Sequence, residues 1–234
     1  MSFLGIRVPH EISRLLSAIE IPGEKVPRDE MHISLLYVGK ETPIEQLVKV
    51  IMAAFPVTSE CTPFTVTTRR VTSFPSNPDD GVPIIAPIES ATLHDLHFSL
   101  CKAFDDAKVE YSKKYPIYKP HVTLGYSKDP GVFAEMVADK DIVPAVEWGV
   151  GEIVLWGGDK GDDKLCVTFP FRLTDTDKAA SRGNALRAAL HGIVRLTQAG
   201  LKKAHNPDGT CPKDCPCHGE PLVHKVAARY KAQV

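Results

Sequence analysis

Two six-residue segments far apart in the chain read alike: His32-Ile33-Ser34-Leu35-Leu36-Tyr37 and His121-Val122-Thr123-Leu124-Gly125-Tyr126. Each runs His, β-branched, hydroxyl, Leu, any residue, Tyr, and each lies in a strand-forming stretch. Side chains alternate along a strand, so His32 and Ser34 share one face, as do His121 and Thr123. Ile33, Leu35 and Tyr37 point the other way, with Val122, Leu124 and Tyr126 doing the same in the second copy. Gly125 continues the polar face of the second strand and is expected to leave room there for a ligand. A lone His beside a hydroxyl residue on a strand is ordinarily a half-buried structural pair. Two copies that agree at five of six positions point instead to shared chemistry.

Paired imidazoles with paired hydroxyls suit displacement at phosphorus. One neutral His accepts a proton from an attacking hydroxyl or water, and the other, protonated, supplies one to the departing oxygen. An ordinary pKa of about 6.5 makes both states accessible near neutrality. Ser34 and Thr123 can hydrogen-bond the non-bridging oxygens as charge builds on them. This scheme needs no cofactor, and neither segment carries a zinc-protease or two-metal carboxylate pattern.

Strand-like and helix-like patterns alternate around these segments. Phe3–Val8 reads as a strand and Pro9–Ile19 as a helix, with Ile12, Leu15, Leu16 and Ile19 at helical spacing. His32–Gly39 (strand), Ile44–Phe55 (helix) and Phe64–Phe74 (strand) follow, then a turn-rich loop from Pro75 to Gly81. A second round gives Pro83–Ile88 (strand), Thr92–Ala107 (helix), His121–Ser127 (strand) and Val132–Asp139 (helix). Strands near Gly151–Trp156 and Leu165–Phe171 close it. The pattern predicts a mixed α+β domain whose halves match in element order, without a strict sequence repeat.

The two motifs resemble those of the two-histidine (2H) phosphoesterase superfamily. It includes the bacterial and archaeal RNA 2′,3′-cyclic phosphodiesterases long named 2′-5′ RNA ligases. Its signature is a pair of His-x-Ser/Thr-apolar motifs, which His32, Ser34, His121 and Thr123 match residue by residue. Gly39 and Pro120 stand where residues commonly frame the first and second motifs. The resemblance covers roughly residues 1–173. It implies a two-lobed, pseudo-symmetric α+β fold, with antiparallel sheets around a central cleft. It also implies metal-independent hydrolysis of a cyclic phosphate, or of a 2′-linked phosphodiester, in an RNA end or a nucleotide. By analogy, His32 is the general acid and His121 the base. Many RNA-processing members carry Arg five residues after the second His, where this chain has Tyr126. A second substrate class is a cyclic nucleotide or oligonucleotide second messenger, which viral members degrade to disarm host defence. A reading of another class is a non-catalytic RNA or nucleotide binder, which would need no proton donor and acceptor together.

Charge divides the chain. Residues 1–175 hold 18 Lys+Arg and 25 Asp+Glu, net −7, whereas 176–234 hold 10 and 4, net +6. The change of sign near Thr174-Asp175-Thr176-Asp177 suggests two modules: a phosphoesterase domain over 1–175 and a basic helical extension over 176–234. The acidic domain and Tyr126 favour a small substrate, and the basic tail favours a polynucleotide. With no membrane-length apolar run and no signal-peptide order at its start, the chain is expected to be soluble and cytoplasmic.

Secondary candidates are weaker. Tyr115, Tyr118 and Lys119 precede the second motif and are candidates to stack on a base or pair with a phosphate, or else they cover a core edge. Trp156 reads as core rather than ligand platform, and Phe74 as a candidate cleft lid. Arg69-Arg70 reads as an exposed strand end. His94 and His97 resemble a metal pair only superficially. Cys61, Cys101 and Cys166 read as buried small hydrophobes.

In the tail, Leu186, Leu190, Ile193 and Leu201 form one stripe of a basic amphipathic helix. It would dock on the main domain or on a protein partner not identified by the sequence. Beyond it, Cys211, Cys215, Cys217 and His218 are candidate ligands of a structural zinc, the alternative being an unstructured thiol-bearing tail. Their spacing is not that of a standard finger.

Overall fold

A computed structural model of the chain describes residues 1–75, 81–129, 145–157 and 165–172. The expected helix 132–139 and the extension 176–234, with Cys211, Cys215, Cys217 and His218, lie outside the described residues.

The period-2 stretches become strands of one antiparallel sheet: β1 (Ser2–Arg7), β2 (Glu24–Lys25), β3 (His32–Gly39), β4 (Phe64–Thr68), β5 (Thr72–Ser73), β6 (Val82–Glu89), β7 (His121–Ser127), β8 (Glu147–Val150), β9 (Glu152–Gly157) and β10 (Leu165–Pro170). Along the sheet the order is β10-β9-β1-β3-β7-β6-β4-β8, with β2 added to β7 and β5 to β6. Read outward from the middle, each half is four strands, and the two halves meet where β3 pairs with β7, at Ile33 opposite Val122. The seam of the pseudo-symmetric sheet therefore runs between the two motifs.

Three helices carry the apolar cover. In α1 (His10–Ser17), Ile12 and Leu16 are buried, whereas Leu15 is 49% exposed. Helix α2 (Ile44–Glu60) buries Leu47, Val48, Val50, Ile51 and Ala54 and packs on α3 and on strands β9 and β10. Helix α3 (Ala91–Asp106) starts at Ser90, whose hydroxyl accepts from the Leu93 N–H at 3.3 Å, an N-cap in the ordinary sense. It buries Leu93, Leu96, Leu100 and Phe104, the i, i+3, i+7, i+11 stripe of a core-facing helix. Leu4, Ile6, Ile33, Leu35, Val122 and Leu124 from the central strands join the same core. Among the described residues no helix is long and apolar enough to cross a membrane.

Several boundaries differ from expectation. Helix α2 continues past Phe55 with Pro56 inside it, and the Thr58 and Ser59 hydroxyls donate to the Phe55 and Pro56 carbonyls at 3.0 and 2.8 Å. Proline costs a helix one N–H, and these side chains tie down carbonyls of the turn beyond it. The single strand expected over Phe64–Phe74 is two, β4 and β5, broken at Arg69-Arg70-Val71. Strands β2 and β8 have no counterpart in the sequence reading, being short and, in β2, wholly polar.

Candidate active site

The antiparallel register at Ile33↔Val122 places His32 across from Thr123 and Ser34 across from His121. All four side chains stand on one face, the imidazoles on one diagonal and the hydroxyls on the other. Ladder geometry puts the histidine backbones about 7–8 Å apart on that diagonal. The opposite face holds Ile33 and Val122, both fully buried.

Each imidazole is fixed in the same way. His32 Nδ1 donates to the Glu30 carbonyl and His121 Nδ1 to the Lys119 carbonyl, both at 2.7 Å and both two residues upstream. A carbonyl only accepts, so in the neutral ring Nδ1 carries the hydrogen and Nε2 the lone pair. Among the described residues neither Nε2 has a hydrogen-bond partner. Rings pack beside both. Phe3 lies 4.6 Å from His32, with Trp156 at 5.8 Å, and Phe74 meets His121 edge-on at 4.7 Å.

Burial lowers both histidine pKa values below the ordinary 6.5. The Nδ1 bonds to backbone carbonyls oppose this in each case. Two further charges distinguish the rings: the Glu30 carboxylate pulls His32 upward, whereas the charge of His32 pushes His121 lower still. The two rings thus feel one another, so the charge on His32 disfavours protonation of His121.

The motif strands are also bulged at the same place. Along β1–β3 the pairing jumps from Leu4↔Leu36 to Gly5↔Ser34, leaving Leu35 unopposed. Along β6–β7 it jumps from Ile84↔Gly125 to Ile85↔Thr123, leaving Leu124 unopposed. Each bulge falls three residues after its histidine. A bulge reverses the facing of every later side chain. Hence Leu36 is buried, and Tyr126, expected on the apolar side with Val122 and Leu124, is 36% exposed. Gly125 is buried and leaves no room for a ligand: a Cβ there would strike the Glu24 carbonyl oxygen of β2 and the Ile21 side chain. Its missing side chain admits a strand.

Around the first bulge, two consecutive carbonyls are held from outside the ladder. Tyr118 donates its hydroxyl to the Ser34 carbonyl at 3.1 Å, and His97 Nδ1 donates to the Leu35 carbonyl at 3.0 Å. The two rings stack on each other at 3.9 Å and 6°. Burial, then the neighbouring Cys101, pushes the Tyr118 phenol pKa well above its usual range, so it remains a donor. Tyr118 packs at the edge of the core, with one of its faces taken by His97 and His94 meeting it edge-on. Tyr118→Phe keeps the stack and removes the donor. The expected result is a roughly tenfold lower kcat with KM within about twofold and a stability loss near 1 kcal/mol, read by steady-state kinetics beside thermal melting.

Tyr115 is 77% exposed, with the Lys114 ammonium 5.2 Å from its ring centre, and Lys119 contributes its carbonyl to His121. Arg69 pairs with Glu89 at the exposed end of β4. Cys166 is exposed, not buried, because β10 is an edge strand and turns this residue to the same side as Trp156. Trp156 is half-buried beside His32 rather than core. Phe3 and Arg7 were not among the sequence candidates for the site. Their signal was the alternation Phe3, Gly5, Arg7 against buried Leu4 and Ile6. Gly5 is required there, as a Cβ would stand 2.6 Å from the Ile33 carbonyl oxygen and 3.2 Å from the Trp156 ring.

Residues 9–162 match the family model described as the 2′-5′ RNA ligase superfamily. Among solved structures, TT0787 of Thermus thermophilus is similar at 22% identity and a TM-score of 0.57, over 73% of this chain and 97% of that one. A protein described as a phosphoesterase is similar at 16% identity and a TM-score of 0.51, over 74% and 98%. No curated protein matches the chain. The two structural likenesses establish the fold, and the family model spans both motifs and the seam between them. The chain belongs to the 2′-5′ RNA ligase superfamily of two-histidine phosphoesterases.

Proposed function

We propose that the protein is a metal-independent phosphodiesterase that opens 2′,3′-cyclic phosphates, or cleaves 2′-linked phosphodiesters, at an RNA end or in a nucleotide. The observation that carries this reading is the matched pair of imidazoles. Each is pinned through Nδ1 to a carbonyl two residues upstream, and each leaves Nε2 unpartnered beside a hydroxyl on the other strand.

His121 takes a proton from water as the new O–P bond forms. His32, protonated, gives its Nε2 proton to the ribose oxygen as the old P–O bond breaks. The product is a phosphomonoester, and solvent returns the proton from His121 to His32. Ser34 and Thr123 donate to the non-bridging oxygens, which gain charge in the transition state. Tyr118 and His97 act as positioning residues by holding the backbone on which Ser34 sits.

Activity needs His121 neutral and His32 protonated. Both pKa values of the free protein lie below 6.5. The log of kcat/KM should therefore rise as pH falls from 8, peak on the acid side of 6.5 and fall again. A bound phosphate anion favours both protonated rings, so the kcat profile should sit at higher pH. A kcat/KM maximum above pH 7.5 would contradict the assignment.

The test of function is direct. Metal-stripped protein is incubated with 2′,3′-cyclic nucleotides, 2′-5′ dinucleotides and cyclic di- and trinucleotides, and products are identified by mass. Turnover of a 2′,3′-cyclic phosphate or a 2′-5′ linkage supports the reading. Cleavage confined to cyclic di- or trinucleotides moves it to second messengers, and binding without turnover of any member would replace it by the non-catalytic one.

A further inference from the structure

Arg7 stands directly across the β1–β3 ladder from His32, on the same face of the sheet. Its guanidinium lies 5.7 Å from the centre of the Trp156 ring, and Trp156 stacks in turn on Phe3 at 4.8 Å and 20°. One N–H group points to Cys166 Sγ at 3.7 Å, a weak acceptor. Among the described residues no carboxylate pairs with this cation, whereas Arg69, Lys102 and Lys113 each have one. Arg7 belongs to the part of the chain that carries net −7. A charged fork, steadied over an aromatic ring and unneutralised, sits one strand outward from the seam where the two imidazoles meet.

We propose that Arg7 forms a second anion subsite that takes the 5′-side phosphate of the nucleoside whose reacting phosphoryl group lies between His32 and His121. This inference rests on the function proposed above and narrows it. The preferred substrate is a nucleotide unit carrying a further phosphate, as at an oligonucleotide end, and not a bare nucleoside cyclic phosphate. The geometry favours an anion over a base: one side of the indole is stacked on Phe3 and the guanidinium lies over the ring, so the stack ends in a cation with free N–H donors. Trp156 holds the fork in place before binding, which reduces the rotamer entropy lost when a phosphate docks. The subsite is beyond the reacting atoms, so Arg7 sets specificity and takes no part in proton transfer.

The test uses the full chain and two stable ligands, adenosine 2′-monophosphate and adenosine 2′,5′-bisphosphate, with dissociation constants measured calorimetrically at low salt. The wild-type protein should bind the bisphosphate about tenfold more tightly, and the gap should narrow as salt screens the contact. Arg7→Gln should erase the gap by weakening the bisphosphate alone, leaving the monophosphate within about twofold, and Arg7→Lys should restore part of it. Equal affinities in the wild type, or a substitution that weakens both ligands alike, would overturn the subsite. The latter is the result for a cation that stacks on the base. If the binding preference holds but no cyclic phosphate is turned over, the proposed reaction fails and the subsite stands. Failure of both ligands to bind at millimolar concentration would overturn both.

Discussion

His32→Ala and His121→Ala are each expected to lower turnover of a 2′,3′-cyclic phosphate by about 10³-fold, within the range for removal of a positioned general acid or base. Neither ring is part of the apolar core. Both are half-buried, against Phe3 and Trp156 in one case and Phe74 in the other, so the variants should remain folded. His32→Gln and His121→Gln, which fill more of the space, separate lost chemistry from lost packing. The double alanine variant should be little worse than either single one, because the two rings serve one event. Losses that multiply would mean that the histidines act independently. A single variant with near-full activity would remove the acid–base scheme.

The hydroxyls come next. Ser34→Ala and Thr123→Val should each reduce kcat by about 10²-fold with little change in KM, as expected when a donor to a charge-bearing oxygen is lost. Ser34 is exposed and Thr123 half-buried at the seam, and valine keeps the shape of threonine. Melting temperatures should therefore hardly move. A rise in KM with kcat preserved would mean that these hydroxyls bind ground state and transition state equally. The register also ranks the pairs: Thr123 faces His32 and Ser34 faces His121. The Thr123 and His32 losses should thus couple more strongly than those of Thr123 and His121 in a double-variant cycle.

The four central residues were legible because the information is local. A period-2 pattern with one apolar face tells which residues share the other face, and two matching copies point to a shared role. The same rule failed at Gly125 and Tyr126 for a physical reason. The bulges at Leu35 and Leu124 reverse the alternation, and a bulge is a property of the pairing of β3 with β1 and of β7 with β6, not of either strand alone. Trp156, Arg7 and Phe3 were missed or misassigned on the same ground. Nothing in residues 1–8 says that β9, some 150 residues later, lies beside β1. Tyr118 was noticed for its position but not for its task. That task depends on His97, from a helix whose sequence shows only its apolar stripe. The Cys/His segment of the extension offered a zinc site by composition alone, and elemental analysis of the purified chain decides it: about one equivalent of zinc, or less than a tenth.

Convergence of the two imidazoles on one phosphoryl group is open to observation without turnover. With histidine labelled in ¹⁵N, the Nε2 signals of His32 and His121 are followed against pH, with and without inorganic phosphate, and assigned through the alanine variants. Without ligand, both rings should titrate below 6.5, with the protonation of one depressing that of the other. Phosphate should shift both Nε2 signals together and raise both midpoints, at a single saturating concentration. Independent titrations, or phosphate sensed by one ring only, would mean that the two histidines do not share a site.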